Sequence, residues 1–440
     1  MWRYYPDLLA TPVPRYTSFP TAAEFGDDVT AGDLISALGA IGQDEPVSLY
    51  LHIPYCREIC WYCGCNTGAA NRTGRVQAYL QRLGEEIDLV ARTLGGRGRV
   101  QRIAWGGGSP NALPADDFDR LMLRLKRAFG LDDPVVSIEL DPRGFDWRWA
   151  ASLGHNNISR ASLGVQTFAP HIQQAIGRVQ PVGEIASALA HLRGAGVESV
   201  NFDLMYGLPH QTVDDLRETL DRAVAMRPER LAVFGYAHVP HLLPRQRRID
   251  SAALPAAAER YEQAELAYRH LVAAGYQAIG FDHFALPDDE IARAARAGTL
   301  RRNFQGFTED QSNVLIGLGA SAISAFPGAL LQNEKNAGRY HLRIGNGQLA
   351  TARGVRRSPV DRLIGVAIEQ LLCTGMADLR YLPDLAGIRA RLEKFRQAQL
   401  IGWSQDRLVL ADDALPYARG IAAALDPYRA ESQVRFSNAV

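Results

Sequence analysis

Four of the five cysteines in this 440-residue chain lie within the ten positions CREICWYCGC (56–65). Cys56, Cys60 and Cys63 follow the spacing C-x3-C-x2-C, and Cys65 comes after one further residue. Three thiolates in one loop can bind three irons of a four-iron cluster and leave the fourth iron open to a reactant, whereas an electron-transfer cluster normally uses four cysteines. The spacing therefore predicts an iron-sulfur site with one open iron.

A zinc site is the main alternative, because zinc is often held by paired C-x2-C motifs. Only one such pair is present here, and the other gap is three residues. The first twenty residues lack a basic region followed by an apolar run, and no apolar stretch of about 18 residues occurs. We therefore expect no membrane span and a cytoplasmic, reducing location, where clustered cysteines are more often metal ligands than disulfides.

The charge balance limits the classes of partner. Lys+Arg and Asp+Glu both number 48, hydrophobic residues make up 47% of the chain, and charged residues make up 22%. These values are typical of a soluble globular protein. A neutral chain has no overall field that attracts nucleic acid, so we expect no nucleic-acid partner and expect local arginines to hold any acidic substrate.

Short apolar runs alternate with amphipathic helical stretches from about residue 47. This alternation predicts a parallel sheet with right-handed crossovers, in which chemistry collects at the carboxyl ends of the strands. The cysteine loop follows the first run, and GGGSP (106–110) follows the second. The predicted strands are VSLYLHI (47–53), VQRIAW (100–105), VVSIEL (135–140), ISRASLGV (158–165), VNFDLMY (200–206) and RLAVFGY (230–236).

Three regions follow from this pattern. Residues 47–350 are predicted to form an α/β catalytic domain with a parallel sheet, and residues 1–46 an N-terminal extension that could cover a substrate. Residues 351–440 are predicted to form a mainly helical C-terminal domain with a possible hairpin at GWSQDRLVLADD (402–413). Cys373 lies in an apolar helical context there and is expected to be a buried residue without a role in chemistry.

Longer sequence motifs resemble the oxygen-independent coproporphyrinogen III oxidases of the radical S-adenosylmethionine (SAM) superfamily. They are PRYTSFPTA, YLHIPYCREICWYCGCN, WGGGSP, SIELDPR, SLGVQTF, DLMYGLPHQT, FGYAH, FDHFA and RRNFQGFT. The resemblance implies a partial (β/α)6 radical SAM barrel. It also implies oxidative decarboxylation of two propionates of coproporphyrinogen III to the vinyl groups of protoporphyrinogen IX, as a step of heme biosynthesis.

The resemblance also implies roles for individual residues. Cys56, Cys60 and Cys63 would bind one 4Fe-4S cluster, and Tyr50, His52 and Cys65 would take part in catalysis. A hydrogen-bonded core position is the alternative for His52. Two SAM molecules would contact Tyr50, Tyr62, Gly107, Gly108, Ser109, Glu139, Gln166, Arg178, Asp203, Ala237 and Ile323, with Phe304 and Gln305 possible additions. Tyr62, Ser109 and Gly235 depart from the Phe, Thr and Asn that the resemblance leads us to expect.

A substrate with four carboxylates needs cationic partners, because burying unpaired carboxylates is costly. Arg15 in the N-terminal motif and Arg245, Arg247 and Arg248 in PRQRR are the candidates. The resemblance further implies a reductant such as flavodoxin or ferredoxin and a monomeric enzyme. A heme-binding chaperone or another radical SAM tetrapyrrole enzyme on the same scaffold remains an alternative, as does a zinc- or cluster-stabilised structural protein. The resemblance implies that the chaperones lack Cys65 and the PRYTSFPTA motif.

Overall fold

The computed structural model describes residues 2–431 of the chain. The strands are β1 (Pro46–Ile53), β2 (Tyr55–Cys56), β3 (Gly68–Ala69), β4 (Arg99–Gly107), β5 (Val135–Leu140), β6 (Arg160–Gln166), β7 (Ser199–Tyr206), β8 (Arg230–Gly235), β9 (Gln277–Ile279), β10 (His283–Ala285), β11 (Arg301–Asn303), β12 (Gly306–Thr308), β13 (Val314–Leu318), β14 (Ile323–Phe326), β15 (Ala329–Asn333), β16 (Thr351–Arg356), β17 (Met376–Asp378), β18 (Ile401–Ser404) and β19 (Arg407–Leu410).

The helices are α1 (Pro6–Leu9), α2 (Ala31–Gly39), α3 (Thr73–Leu94), α4 (Ala115–Phe129), α5 (Trp147–His155), α6 (Pro170–Ala175), α7 (Val182–Gly194), α8 (Val213–Met226), α9 (Ala257–Ala273), α10 (Glu290–Arg296), α11 (Ala337–Gly345), α12 (Pro359–Thr374), α13 (Leu385–Gln397), α14 (Ala418–Ala423) and α15 (Tyr428–Glu431). None of the helices in the described part of the chain is both long enough and apolar enough to cross a bilayer.

Six parallel strands form the centre of the largest sheet, in the order β1-β4-β5-β6-β7-β8. They are the six strands that the apolar runs predict, with ends shifted by no more than two residues. Strands of this kind are buried on both faces, which is why they read as nearly continuous apolar runs. The order of strands and helices confirms the predicted partial barrel of α/β units.

The apolar spacing of helix α3 explains how this helix packs against the sheet after strand β1. Val76, Leu83, Ile87, Val90 and Leu94 are buried along one face of the helix at helical spacing. The helix ends at Gly95, which takes the left-handed conformation that glycine adopts without steric cost. Packing of α3 over the sheet leaves the preceding cysteine loop at the carboxyl end of β1.

The sheet extends further than the sequence predicted. Strand β13 pairs in parallel with β1, and β14, β15 and β16 then follow as antiparallel neighbours. On the opposite edge β10 and β9 continue antiparallel from β8. The runs in 314–333 are short and interrupted by glycine, so their periodicity does not distinguish strands from loop.

A second hydrophobic core joins the two ends of the chain. Leu9, Val13 and Phe19 pack in one cluster with the inner faces of α12, α13 and α14. The Tyr16 hydroxyl lies in the same cluster and donates a hydrogen bond to Asp426 Oδ2 at 3.0 Å. The N-terminal segment is therefore anchored on the C-terminal region and is carried over the barrel by it.

The C-terminal region is mainly helical and contains the three-stranded sheet β17-β19-β18. Strands β18 and β19 form the hairpin expected at 402–413. Cys373 lies half-buried on α12 beside the second core, and burial raises the pKa of its thiol to about 12. Residues 432–440 of the predicted C-terminal domain lie outside the described residues.

Candidate active site

The cysteine loop is fastened to the barrel by main-chain hydrogen bonds. The Trp61 amide donates to the carbonyl of Ile176 at 3.1 Å, and the Ala70 amide donates to the carbonyl of Cys56 at 2.8 Å. Cys60 is buried, whereas Cys56 and Cys63 are half-buried. All three thiols line one cavity at the mouth of the barrel, with a volume of about 440 Å³.

Most of the predicted site residues share this cavity. The predicted residues that line it are Arg15, Cys56, Cys60, Tyr62, Cys63, Cys65, Gly107, Gly108, Ser109, Glu139, Gln166, Arg178, Asp203, Ala237 and Arg245. The predicted residues that do not line it are Tyr50, His52, Ile323, Arg247 and Arg248. Phe304 lines a separate groove beside the N-terminal segment, and Gln305 lines a second cavity inside the barrel.

In the described part of the chain, no three His, Cys, Asp or Glu side chains converge on a point suited to a single metal ion. Cluster thiolates are held differently, because each one binds a separate iron of the cluster. A buried Cys60 and two half-buried neighbours on the wall of one cavity fit that donor set.

Gly107 accommodates the neighbouring histidine. It has φ of 104°, and a Cβ atom there would lie 2.3 Å from His52 Cε1. The His52 imidazole is buried between the Tyr50 hydroxyl at 3.2 Å from Nδ1 and the Ser321 hydroxyl at 3.3 Å from Nε2. Burial lowers the pKa of His52 to about 4. The imidazole is therefore neutral near pH 7. It packs directly against Gly107 and so supports the GGG turn.

Glu139, near the carboxyl end of β5, and Asp203, in the second half of β7, form an acidic pair. The Glu139 carboxyl is open to the cavity but enclosed by the barrel, and this burial, with the nearby Asp203 charge, raises its pKa to about 7. Its Oε2 accepts a hydrogen bond from the Gly107 amide at 3.2 Å. Burial also raises the pKa of Asp203, although Ser162 and Asn201 each donate to its carboxylate at 2.8 Å. Both acids are suited to hydroxyl or amino groups of a ligand.

Two guanidinium groups converge on the sulfur of Cys60. Arg178 Nη1 lies 3.2 Å from Cys60 Sγ, and Arg143 Nη2 lies 3.4 Å from it. Asp141 bridges the pair, at 3.1 Å from Arg178 Nη2 and 2.6 Å from Arg143 Nη2. Arg178 also donates to the Gly164 carbonyl at 2.6 Å and to Gln180 Oε1 at 3.0 Å. Each nitrogen of the Arg178 guanidinium thus has a protein partner.

Sequence reasoning missed Asp141 and Arg143, although both lie in the motif SIELDPR. Their position could have indicated a role, because both residues directly follow the third barrel strand, and functional side chains collect at the carboxyl ends of barrel strands. Nothing in the sequence placed them next to Cys60, which lies 83 residues before Arg143.

Cys65 lies within the same loop and acts on its neighbour. Its main-chain amide donates to Cys63 Sγ at 3.4 Å. A hydrogen bond from the Cys65 thiol lowers the pKa of Cys63 to about 6 against the opposing effect of burial, and the charges of Arg245 and Arg178 add to the lowering. Cys65 is therefore in direct contact with Cys63.

Arg15 reaches the barrel mouth from the N-terminal segment. Its guanidinium lies 5.1 Å from the centre of the Phe234 ring, and Nη2 donates to the Gly235 carbonyl at 3.3 Å. A Cβ atom at Gly235 would lie 2.9 Å from the Tyr206 hydroxyl, so a side chain there would have to displace this tyrosine. The glycine at 235, where Asn was expected, is consistent with this local packing.

Arg302 is a third residue that sequence reasoning missed. Its Nη2 donates to the carbonyl of Arg15 at 3.0 Å and its Nε to the carbonyl of Tyr16 at 3.2 Å. The guanidinium also lies 4.9 Å from the ring centre of Phe281 and 4.3 Å from that of Phe307. Arg302 therefore fixes the main chain that carries Arg15.

The three arginines of PRQRR lie on the short 3-10 helix Pro244–Arg248 but have different surroundings. Arg245 lines the cavity and donates to Thr67 Oγ1 at 3.0 Å and to the Thr67 carbonyl at 3.2 Å. Arg248 lies 5.2 Å from the Trp61 ring centre, outside the cavity, and Arg247 is exposed. Within this segment Arg245 is the residue placed to meet a cavity ligand.

Comparison with known proteins gives a consistent assignment. A family model described as the radical SAM superfamily matches residues 50–223. An oxygen-independent coproporphyrinogen III oxidase of Bradyrhizobium diazoefficiens is 41% identical, covering 97% of this chain and 97% of that protein. An anaerobic coproporphyrinogen III oxidase of Cereibacter sphaeroides is 39% identical, covering 97% of this chain and 96% of that protein.

A solved structure supports the same assignment. The coproporphyrinogen III oxidase of Escherichia coli, described as a radical SAM enzyme, superposes with a TM-score of 0.90 at 34% identity. The match covers 97% of this chain and 99% of that one. Together with the cysteine loop on the first barrel strand and the likeness along nearly the whole length, this shows that the chain belongs to the family of oxygen-independent coproporphyrinogen III oxidases within the radical SAM superfamily.

Proposed function

We propose that this chain converts coproporphyrinogen III to protoporphyrinogen IX without oxygen; its relatives are named oxygen-independent coproporphyrinogen III oxidases. One observation carries the proposal: the three-cysteine loop, the acids Glu139 and Asp203, and Arg15 from the N-terminal segment all line a single cavity. A cluster, an adenosyl cofactor and an acidic substrate can therefore meet in one place.

Membership in the radical SAM superfamily brings a 4Fe-4S cluster and SAM as cofactors. Cys56, Cys60 and Cys63 are the proposed cluster ligands. When bound, these cofactors supply the 5'-deoxyadenosyl radical that removes a hydrogen atom from the β-carbon of a substrate propionate. The propionate then loses carbon dioxide, and one electron leaves to an acceptor, so that each reacting side chain becomes a vinyl group.

The residues around the cysteine loop have distinct proposed tasks. Glu139 and Asp203 would bind hydroxyl or amino groups of the first cofactor molecule, since both line the cavity from β5 and β7, the two strands that flank β6. Tyr62, Gln166 and Ala237 line the same cavity and would contact a second SAM molecule.

Arg15 is the proposed partner of a substrate carboxylate. A guanidinium binds a carboxylate with two parallel hydrogen bonds, and this geometry orients the substrate as well as holding it. Arg302 holds the Arg15 main chain in place, so less conformational freedom has to be lost when the substrate binds. Arg245 lines the same cavity from the 3-10 helix Pro244–Arg248, is hydrogen-bonded to Thr67 and offers a second cation.

The N-terminal segment would also exclude water from the cavity. It packs in the second core with α12, α13 and α14, which holds it across the mouth of the barrel. We further propose a cytoplasmic location, a monomeric enzyme and a small reductant protein such as flavodoxin or ferredoxin as the electron source.

Product analysis under anaerobic conditions tests this function. The cluster-loaded chain should convert coproporphyrinogen III to protoporphyrinogen IX when SAM and a reductant are present, and both porphyrinogens can be oxidised and separated by chromatography. A heme chaperone on the same scaffold would instead bind heme stoichiometrically and form no divinyl product. A structural protein would leave both SAM and substrate intact. Either of those outcomes would overturn the proposal.

A further inference from the structure

The sulfur of Cys60 lies in an unusually cationic environment for a buried atom. Arg143 and Arg178 both donate to it, at 3.4 Å and 3.2 Å. Cys60 is 6% exposed and Arg178 is 6% exposed, so solvent screens this interaction weakly. Asp141 is the one carboxylate that bridges the two guanidiniums. Glu58 also pairs with Arg143, but its side chain is 73% exposed.

These contacts leave an excess of positive charge beside one sulfur. Two guanidiniums and one enclosed carboxylate sum to one positive charge, and both cations direct N–H groups at Cys60. Hydrogen bonds to the sulfurs and nearby charge are among the factors that set the reduction potential of an iron-sulfur cluster. Reduction adds one negative charge to the cluster and its thiolates, and donors of this kind stabilise the reduced form more than the oxidised form.

We propose that Arg143 and Arg178 raise the reduction potential of the cluster by hydrogen-bonding to the Cys60 thiolate, and that Asp141 sets the size of this effect. Arg143 is thus a positioning and tuning residue and does not touch the substrate. The inference rests on the cluster assignment within the proposed function and is independent of which substrate is used.

The chain offers a matched control in Arg57. It is exposed, follows the proposed ligand Cys56 directly and donates to the Gly144 carbonyl at 3.1 Å, next to Arg143 in sequence. Arg57→Met removes the same formal charge as Arg143→Met, but from the cysteine loop, whereas Arg143 lies in the loop after β5. It removes no hydrogen bond to a sulfur, so comparing the two variants separates the hydrogen bond from the general charge.

The test is an EPR-monitored redox titration of the full chain, loaded with cluster anaerobically, with dithionite as reductant and without substrate. Arg143→Met should lower the midpoint potential, and the expected tenfold loss in the reduced-to-oxidised ratio at a fixed potential corresponds to 59 mV for one electron. Arg57→Met should keep the wild-type potential. Iron and sulfide contents, measured in parallel, show whether each variant is equally loaded.

Asp141→Asn should shift the midpoint potential in the opposite direction from Arg143→Met. It removes the charge that offsets the guanidiniums and keeps a side-chain oxygen to accept from them, so the potential should rise. The Asp141→Asn titration tests the proposal even if Arg143→Met binds too little cluster to titrate. A wild-type potential in loaded Arg143→Met, an equal shift in Arg57→Met, or a fall in Asp141→Asn would each overturn the proposal.

Discussion

Cys65 lies so close to Cys63 that the two thiols must be told apart by experiment. Cys60→Ala should abolish the broad iron-sulfur absorption and SAM cleavage together, and Cys56→Ala and Cys63→Ala should do the same, because each removes an iron ligand. Cys65→Ala should retain the cluster, since its proposed role is a hydrogen bond to Cys63. Iron analysis and visible absorption after anaerobic loading are the measurements. Equal iron loss in Cys65→Ala and Cys60→Ala would contradict the assignment.

Arg15 is expected to bind a substrate carboxylate, and Arg247 provides its control. Arg15→Ala should weaken coproporphyrinogen III binding by about 1 to 3 kcal/mol, the usual cost of losing one hydrogen bond to a charged group. Arg247→Ala should leave the affinity unchanged, because Arg247 is exposed outside the cavity. Apparent affinity from turnover at varied substrate concentration measures both effects. Unaltered affinity in Arg15→Ala would show that the carboxylates are held elsewhere.

At the scale of single residues, sequence reasoning found side chains that carry chemistry and missed those that support them. The cysteines, Glu139 and Asp203 have types and positions that indicate a role. Arg143 and Arg302 do not, because their importance lies in contacts with Cys60 and Arg15, which are distant in sequence. An arginine in a motif does not reveal which main-chain carbonyl or sulfur it will meet.

Among the structural elements, α3 carries a buried carboxylate that joins it to the added strands. Glu86 Oε2 accepts from the Gly319 amide at 2.6 Å and the Tyr340 hydroxyl at 2.7 Å, and Oε1 accepts from Asn333 at 2.8 Å. It is 1% exposed, and burial raises its pKa from 4.5 to about 7. Through these bonds Glu86 ties α3 to β15, α11 and the turn after β13.

This shift makes stability depend on pH with a defined sign. Between pH 4.5 and 7 the folded chain binds more protons at Glu86 than the unfolded chain, so the free energy of unfolding falls as pH rises through that window. The contribution of Glu86 amounts to about 3 kcal/mol. In Glu86→Gln the difference in unfolding free energy between pH 5 and pH 8 should shrink by about this amount, as measured by urea denaturation.

Glu85 is the matched control for this prediction. It neighbours Glu86 on α3, but its side chain is 33% exposed and pairs with Arg82 on the helix surface. Glu85→Gln should keep the pH dependence of the wild-type chain. If Glu86→Gln and Glu85→Gln retain the same dependence, the Glu86 carboxyl is not the group responsible.

At this scale the six barrel strands, α3 and the β18–β19 hairpin were predictable, because continuous apolar runs and helical spacing report burial locally. Strands β13 to β16 were not, since their short runs are stabilised by pairing with β1 and with each other, and not by local pattern. The burial of Glu86 was not predictable for the same reason. In the sequence it is one of several polar residues on an amphipathic helix.

For the whole molecule, the two chain ends form one core and carry Arg15 to the barrel mouth. Arg302→Met should release the main chain at residues 15 and 16, weaken substrate binding and speed proteolytic cleavage in the N-terminal segment, while cluster content stays normal. Arg301→Met is the control, because Arg301 pairs with Glu369 at 2.8 Å and makes no hydrogen bond to the described residues of the N-terminal segment. Matching proteolysis and affinity in the two variants would contradict this role for Arg302.

The cavity at the barrel mouth is proposed to carry out the oxidative decarboxylation of coproporphyrinogen III. The most direct measurement is the release of carbon dioxide from substrate carrying labelled propionate carboxyls, under anaerobic conditions with SAM and reductant. We expect two labelled carbon dioxide molecules for each protoporphyrinogen IX formed by the wild-type chain, and none from Cys60→Ala. SAM cleavage by the wild-type chain without any labelled carbon dioxide would contradict it, and would mean that the cavity serves a different substrate.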